Sequence, residues 1–283
     1  MSLLDRIRTC QAWQPEAYRP FMIGQTPVGR VRHALARRLA DFPEVFQVSE
    51  QAVSLVPALA DFEVRTRAAD GVVRALVEAG DIRRYRGEDY PVVPRWGDQP
   101  FMKIDRGAVP DFGVRGYGVH LNGLVEGDDG LMMWVAKRAM SKPTGAGKLD
   151  HLVAGGQPYG LGVRENLIKE SAEEADLPAE LAGQAVAVSA VSYRCERPVG
   201  LRDDVLFSFD LTLPPDFQPR NTDGEVEWFQ LWPIEDVVAR VRDSEDFKFN
   251  VALVIIDFLI RRGFVTPDDP DYMALVDGLH LAE

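Results

Sequence analysis

Apolar positions at helical spacing run through GRVRHALARRLADFP and DGVVRALVEAGDI in the first hundred residues and predict helices there. Short apolar extended pieces separate them. The Pro-rich stretch YPVVPRWGDQP, followed by MKIDRGAVPDFG, reads as a boundary, because Pro and Gly clusters punctuate packed units. Beyond it GYGVHLNGLVE and LMMWVAKR read as strands joined by a tight turn at GDDG. AVAVSAVSY, VLFSFDL and EVEWFQLW add further strands, with SYRCERPVGLRDD as the turn between the first two and PPDFQP as a loop before the third. IEDVVARVR reads as a helix. The most apolar run, VALVIIDFLI at 251–260, contains Asp257 and is too short for a bilayer, so it reads as a buried closing helix with Lys248, Arg261 and Arg262 at its wet ends. This order suits an α/β (α+β) fold, a mixed sheet sandwiched by helices, preceded by a smaller α+β unit. The predicted division is residues 1–111, 112–265 and a tail at 266–283.

Composition limits the function classes. A chain of 283 residues with 46% hydrophobic content can bury a substantial core. Its formal charge of -12 argues against a general nucleic-acid binder or a binder of anionic membranes and favours a small soluble substrate. Cys10 and Cys195 lie far apart and in no metal-ligand spacing, as free thiols in a reducing compartment would. MSLLDRIRTCQAW shows no secretory signal, so a cytoplasmic location is expected. His33, His120, His151 and His280 share no ligand spacing, and a zinc site gains no support from them. Whether the protein is a monomer or a homodimer stays open.

The densest chemical signal is GGQPYGLGVRENLIKESAEEADL at 155–177. Glu170, Glu173 and Glu174 fall at spacings of three and four, so one side of a helix carries all three carboxylates. Each like-charge pair costs roughly 0.2 to 0.5 kcal/mol on a bare helix, and a hard cation such as Mg2+ or Mn2+ would turn that penalty into binding. Ile168, Ala172 and Ala175 form an apolar stripe on the opposite side, suited to packing on a sheet. Ahead of the helix, Gly155, Gly156, Pro158, Gly160 and Gly162 suit a sharply turning loop close to a ligand.

This segment resembles the Nudix signature, which runs Gly, five residues, Glu, seven residues, then Arg-Glu-aliphatic-any-Glu-Glu-any-Gly-aliphatic. Its first glycine falls on Gly155, its helix glutamates on Glu170, Glu173 and Glu174, and its final aliphatic on Leu177. Four positions depart from it: Leu161 stands where the first Glu belongs, Lys169 replaces Arg, Ser171 an aliphatic and Asp176 a Gly. The flanking stretches 112–126, 134–157, 209–231 and 247–264 resemble one branch of that family, the Nudix domain fused to thiamine pyrophosphokinase in some eukaryotes, which also occurs with its own N-terminal extension. The resemblance implies a Nudix α/β/α sandwich that hydrolyses a diphosphate to a monophosphate, with damaged or oxidised thiamine diphosphate analogues as the leading substrate class. It also implies that Glu170, Glu173 and Glu174 share metal binding and base duty, that the Gly155 carbonyl adds a ligand, and that a further carboxylate comes from a later strand. Glu225 and Glu227 share a face if DGEVEWFQL is extended, and Glu225 is the favoured one.

Diphosphate cleavage also needs cations away from the metal. KRAMSKPTGAGKLD sets Lys137, Arg138, Lys142 and Lys148 against the single acid Asp150, so Arg138 could fork phosphate oxygens while Lys142 and Lys148 act as mobile point charges; a solubilising loop is the alternative. Tyr193 either stacks on an aromatic ring of the substrate or packs at a strand end. At the level of function, a Nudix hydrolase of another compound, such as ADP-ribose or a nucleotide sugar, and a non-catalytic binding module stand as alternatives. Leu161 motivates the latter.

Overall fold

A computed structural model describes residues 2–127 and 130–281; the two aspartates of the expected GDDG turn lie outside the described residues. The elements in chain order are α1 (Leu3–Thr9), β1 (Tyr18–Ile23), β2 (Thr26–Arg32), α2 (His33–Leu39), β3 (Phe46–Val48), β4 (Val53–Leu55), α3 (Phe62–Glu78), β5 (Asp89–Val92), β6 (Met102–Asp105) and α4 (Val109–Phe112). Then follow β7 (Gly116–Gly127), β8 (Gly130–Arg138), β9 (Leu149–Asp150), β10 (Val153–Gly156), α5 (Val163–Ala175), α6 (Ala179–Ala182), β11 (Val186–Arg197), β12 (Gly200–Thr212), β13 (Val226–Pro233), α7 (Ile234–Asp243), α8 (Val251–Arg261) and α9 (Tyr272–Gly278).

The sequence-predicted helix over GRVRHALARRLADFP is in its first part a strand. Residues up to Arg32 pair with β1, and only α2 is helical, because Phe21 and Val31 must both enter the sheet's core. The first sheet runs β2-β1-β4-β3, and β5 and β6 form a separate hairpin. The second sheet runs β11-β12-β7-β8-β13, with β10 on β7 and β9 on β8. It is mixed as expected: β12 and β7 are parallel while β11–β12, β7–β8 and β8–β13 are antiparallel. SYRCERPVGLRDD is no long turn. It is the two strands themselves, paired through Arg197 and Gly200, so that only Pro198 and Val199 connect them.

Strand side chains alternate, and β7 uses both faces. Val119, Leu121 and Val125 pack in a core with Leu167 and Ala175 of α5, while Leu124 packs in the opposite core with α7 and α8. The sheet is therefore covered on both sides. Residues 251–259 of α8 are all buried, as its near-continuous apolar run requires. Among the described residues no helix is long and apolar enough to cross a membrane. Lys248 is not at a wet end: its side chain is largely buried, with Nζ 3.9 Å from Asp150 Oδ2. Arg261 turns back onto Asp257 and Asp210 at 2.8 and 3.0 Å.

Residues 266–283 hold α9, whose Leu275 and Leu279 are buried in the same core as Ile7 of α1. A Cβ on Gly278 would stand 2.5 Å from Ile7 Cγ2, so the two helices touch at a bare backbone. Arg6 Nε donates to the Val241 carbonyl at 2.9 Å, and Ser192 N–H donates to the Leu279 carbonyl at 2.9 Å. Both ends of the described chain are thus built into the second unit's core, together with the free, buried Cys10 and Cys195.

Two of the four histidines meet. His120 on β7 and His151 after β9 lie with their Nδ1 atoms 2.9 Å apart, both buried. One ring must donate and the other accept, so the contact requires at least one neutral imidazole. Burial pushes His151 down to about 4, against the pull of Asp150, and burial with the neighbouring His151 pushes His120 well below its ordinary value.

Two outcomes follow from this packing. Leu275→Ala should lower the unfolding free energy by about 3 kcal/mol in urea denaturation, whereas a residue of a loose tail would change it by less than about 0.5 kcal/mol. Because the unfolded chain takes up protons on these histidines before the folded one does, their contribution is present above pH 6.5 and is lost as pH falls through about 4. The urea midpoint of the wild type should therefore drop more steeply over that window than that of His151→Gln.

Candidate functional site

The strand β10 leads into a loop and then α5, and the loop is tied at both ends. Gln157 Nε2 donates to the Leu161 carbonyl at 2.6 Å, Asn166 Nδ2 to the Gly156 carbonyl at 2.8 Å, and Gly162 N–H to Glu165 Oε2 at 3.4 Å. Leu161 thus contributes its backbone to the loop's closure. The buried face of α5 is Asn166, Leu167, Ser171, Glu174 and Ala175, not the expected stripe: Ala172 is exposed and Ile168 only partly buried. With Leu167 and Ile168 adjacent, apolarity alone does not fix the rotation of the helix. Asp176 closes α5 in the left-handed region at φ 53°, a conformation a short polar side chain tolerates, so this departure from Gly keeps the helix end.

Glu174 is buried, and its Oε2 accepts from the Ala154 N–H at 2.8 Å. Burial pushes its carboxyl up to about 8 against that hydrogen bond, with Asp150 and Glu170 adding to the rise. Glu170 leans on Gly155 so closely that a Cβ there would stand 2.3 Å from its Cγ. Its carboxyl is likewise raised by burial. Glu173 is half exposed, and Lys169 Nζ bridges it at 2.6 Å to Glu170 at 3.2 Å. The lysine in the signature's arginine position therefore spans two of the three glutamates.

These carboxylates open onto a cleft of about 770 Å³, within the usual range for a small-molecule site. Lys142 and Glu225 line it as an ion pair, with Asp223 beside them. Glu227 instead pairs with Lys137 at 3.1 Å, because a bulge between Val226 and Trp228 breaks the alternation that would have put it on Glu225's face. Three expected substrate contacts do not fit their placement. Arg138 lines the cleft but is buried, with Nη1 on Asp150 at 2.6 Å and Nε and Nη2 on the Thr144 carbonyl, which leaves no free fork for phosphate. Lys148 donates to the Glu245 carbonyl at 2.7 Å and borders a different hollow, with Arg6 and Phe247. Tyr193 is fully buried, its hydroxyl on Asp204 and Asn250, so no substrate ring can stack on it.

One set of cleft residues was not foreseen. Arg84, Arg86 and Arg106 of the first unit line the same cleft as the glutamates, together with Lys248 and with Arg202, which is held by Asp204. The run Arg83-Arg84-Tyr85-Arg86 was visible in the sequence, but a charge run without a fold reads as solvated surface.

The donor set of the glutamate helix fits a divalent cation: a buried carboxylate raised by burial and by other carboxylates lies beside a second one at a glycine-lined turn. Their oxygens do not close to within 4.8 Å of one another; among the described residues only His120, Asp150 and His151 bring three ligand atoms that near. Asp150 is committed to Arg138, with Lys248 nearby, and two cations oppose a metal ion there.

The comparisons with known proteins bear on identity. A family model described as a domain of unknown function (DUF4743) matches residues 2–116. The chain is 44% identical to Nudix hydrolase 24, chloroplastic, of Arabidopsis thaliana, over 90% of this chain and 71% of that protein. It is 42% identical to Nudix hydrolase 20, chloroplastic, of the same plant, over 92% and 72%. A MutT/nudix family protein from Enterococcus faecalis is a structural neighbour at 14% identity and a TM-score of 0.43, over 59% of this chain and 70% of that one. The chloroplastic relatives overturn the expected cytoplasmic location. With the glycine turn and the glutamate helix in register, and such identity across more than two thirds of a named relative, the chain belongs to the Nudix hydrolase family.

Proposed function

We propose that this Nudix hydrolase cleaves a diphosphate to a monophosphate with Mg2+ or Mn2+, on damaged or oxidised analogues of thiamine diphosphate. The carrying observation is that the buried Glu174 and the partly buried Glu170 line one cleft together with several arginines and Lys248. That combination suits a hard cation and a polyanionic substrate together. The thiamine class rests on the resemblance of the long flanking stretches.

Glu170, Glu173 and Glu174 would hold the metal, with Gly155 and Glu225 at the margin of the set. A divalent ion in such a site neutralises charge on the phosphoryl oxygens and makes bound water more acidic. The chain's own groups do the rest. Lys142, on a loop at the cleft, offers phosphate oxygens a cation once a substrate competes with Glu225 for it. Lys169 holds Glu170 and Glu173 in place, and the Ala154 N–H fixes the carboxylate of Glu174.

Glu174→Gln should lower kcat by about 10²-fold or more with magnesium present while leaving the thermal unfolding midpoint close to wild type, since the amide keeps an acceptor for Ala154 N–H. Wild-type turnover in that variant would remove Glu174 from the site. Mass spectrometry of products from thiamine diphosphate, its oxidised analogues, ADP-ribose and nucleotide sugars should show monophosphate from the thiamine-like compounds. Turnover only of ADP-ribose or nucleotide sugars would replace the substrate assignment, and silence from a folded protein on all of them would favour a binding module.

A further inference from the structure

The flank of the hairpin β5–β6 puts Arg106 directly against the glycine turn of the hydrolase signature, and Arg84 and Arg86 line the same cleft. We propose that Arg84, Arg86 and Arg106 form an anion subsite that holds the phosphate group of the substrate lying away from the glutamate helix, so that the first unit is a substrate-binding half of the site. This assignment rests on reading the cleft as a diphosphate site.

One buried carboxylate ties together the two segments that carry the three arginines. Asp105 accepts from the backbone N–H groups of Arg86 at 2.9 Å, Gly87 at 2.7 Å and Gly107 at 2.8 Å, which locks the segment after α3 against the end of β6. The lock is tight: a Cβ on Gly107 would stand 2.1 Å from the Arg84 carbonyl oxygen. Arg106 then reaches the signature itself, since its Cζ lies 3.2 Å from where a Cβ on Gly156 would be. Glu88 at 2.7 Å and the face of Tyr90 at 5.6 Å hold that guanidinium in place. The backbone of the same segment is anchored to the signature loop, with Tyr159 N–H donating to the Asp89 carbonyl at 2.8 Å.

What Arg84 and Arg86 lack is an anion. Among the described residues neither Arg84 nor Arg86 has a carboxylate at ion-pairing distance, in a chain with 44 acids against 32 Lys and Arg. Burial, with Arg106 and Arg84 close by, holds the Arg86 guanidinium below its ordinary value. Clustered guanidinium groups repel one another until an anion sits among them, and their planar forks match phosphate oxygens. The signature helix takes the cation and this wall takes the anion, so the two units address opposite charges of one metal-bound diphosphate.

The test is titration calorimetry of the full chain with inorganic pyrophosphate in EDTA, where the metal cannot contribute, alongside steady-state kinetics with magnesium. Wild type should bind pyrophosphate, while Arg84→Gln/Arg86→Gln should bind at least about 10-fold more weakly and raise KM by a similar factor with kcat within about 3-fold. Should that double variant fail to fold by circular dichroism, Arg84→Lys/Arg86→Lys replaces it, with a several-fold loss expected because the charge stays and the fork goes. Equal pyrophosphate binding by the folded arginine variant, or none by the wild type, overturns the subsite. Lost pyrophosphate binding in the variant, combined with no turnover of any diphosphate by the wild type, sustains the subsite and retires the hydrolase reading.

Discussion

At Gly155 and Gly156 the backbone has neighbours on two sides that leave no room for a side chain. Glu170 presses on the first, and a Cβ on the second would stand 1.7 Å from the Tyr90 hydroxyl. The rest of the site is arranged by these two approaches. One brings a helix carboxylate against the end of β10, and the other brings the first unit's hairpin against the same turn. Any Cβ at either position would separate the carboxylates from the strand that orients them, or the arginine wall from the carboxylates. Pairing of β10 with β7 then carries the arrangement into the mixed sheet, where Val119 and Leu121 anchor α5 from below.

Behind the cleft a buried ionic group performs a separate task. Burial pushes Asp150 up, but Lys248 and Arg138 outweigh it and hold its carboxyl well below the usual range. Burial in turn lowers Lys248 to about 8, with Asp150 opposing the fall. Removing one member would leave another charged and unpaired in a dry setting, which is where a buried pair becomes costly. The arrangement fixes the ends of β8 and β9 and the entry to α8, so the floor beneath Glu174 is rigid.

Much of the second unit was legible in its sequence, since strands covered on both faces and a continuous apolar helix leave strong patterns. The mixed sheet, the α8 run and the glutamate helix all appear where periodicity and spacing put them. The misreadings share a physical cause. Arg138, Lys148 and Lys248 were assigned by local charge alone, yet each charge is answered by a group distant in sequence or by a carbonyl across a turn. Tyr193 ends the predicted strand AVAVSAVSY, but turn-forming residues around Pro198 masked the continuation of that strand and its partner, so packing, and not stacking on a substrate, is its role. Arg84 and Arg86 gain their meaning only when Asp105 folds their segment onto the cleft. The orientation of α5 was ambiguous for the reason that neighbouring apolar residues point in different directions.

The packing of α1 against α9 and α8 has a consequence for the order in which the protein is made. Residues 3–9 are synthesised before the segments that cover them, at 251–259 and 275–279. Until those segments are made Ile7 and its neighbours stay without their surface, while the sheet of the first unit can already form. This helix can therefore settle only after its partners are made, and its docking reports that synthesis has passed through the core of the second unit.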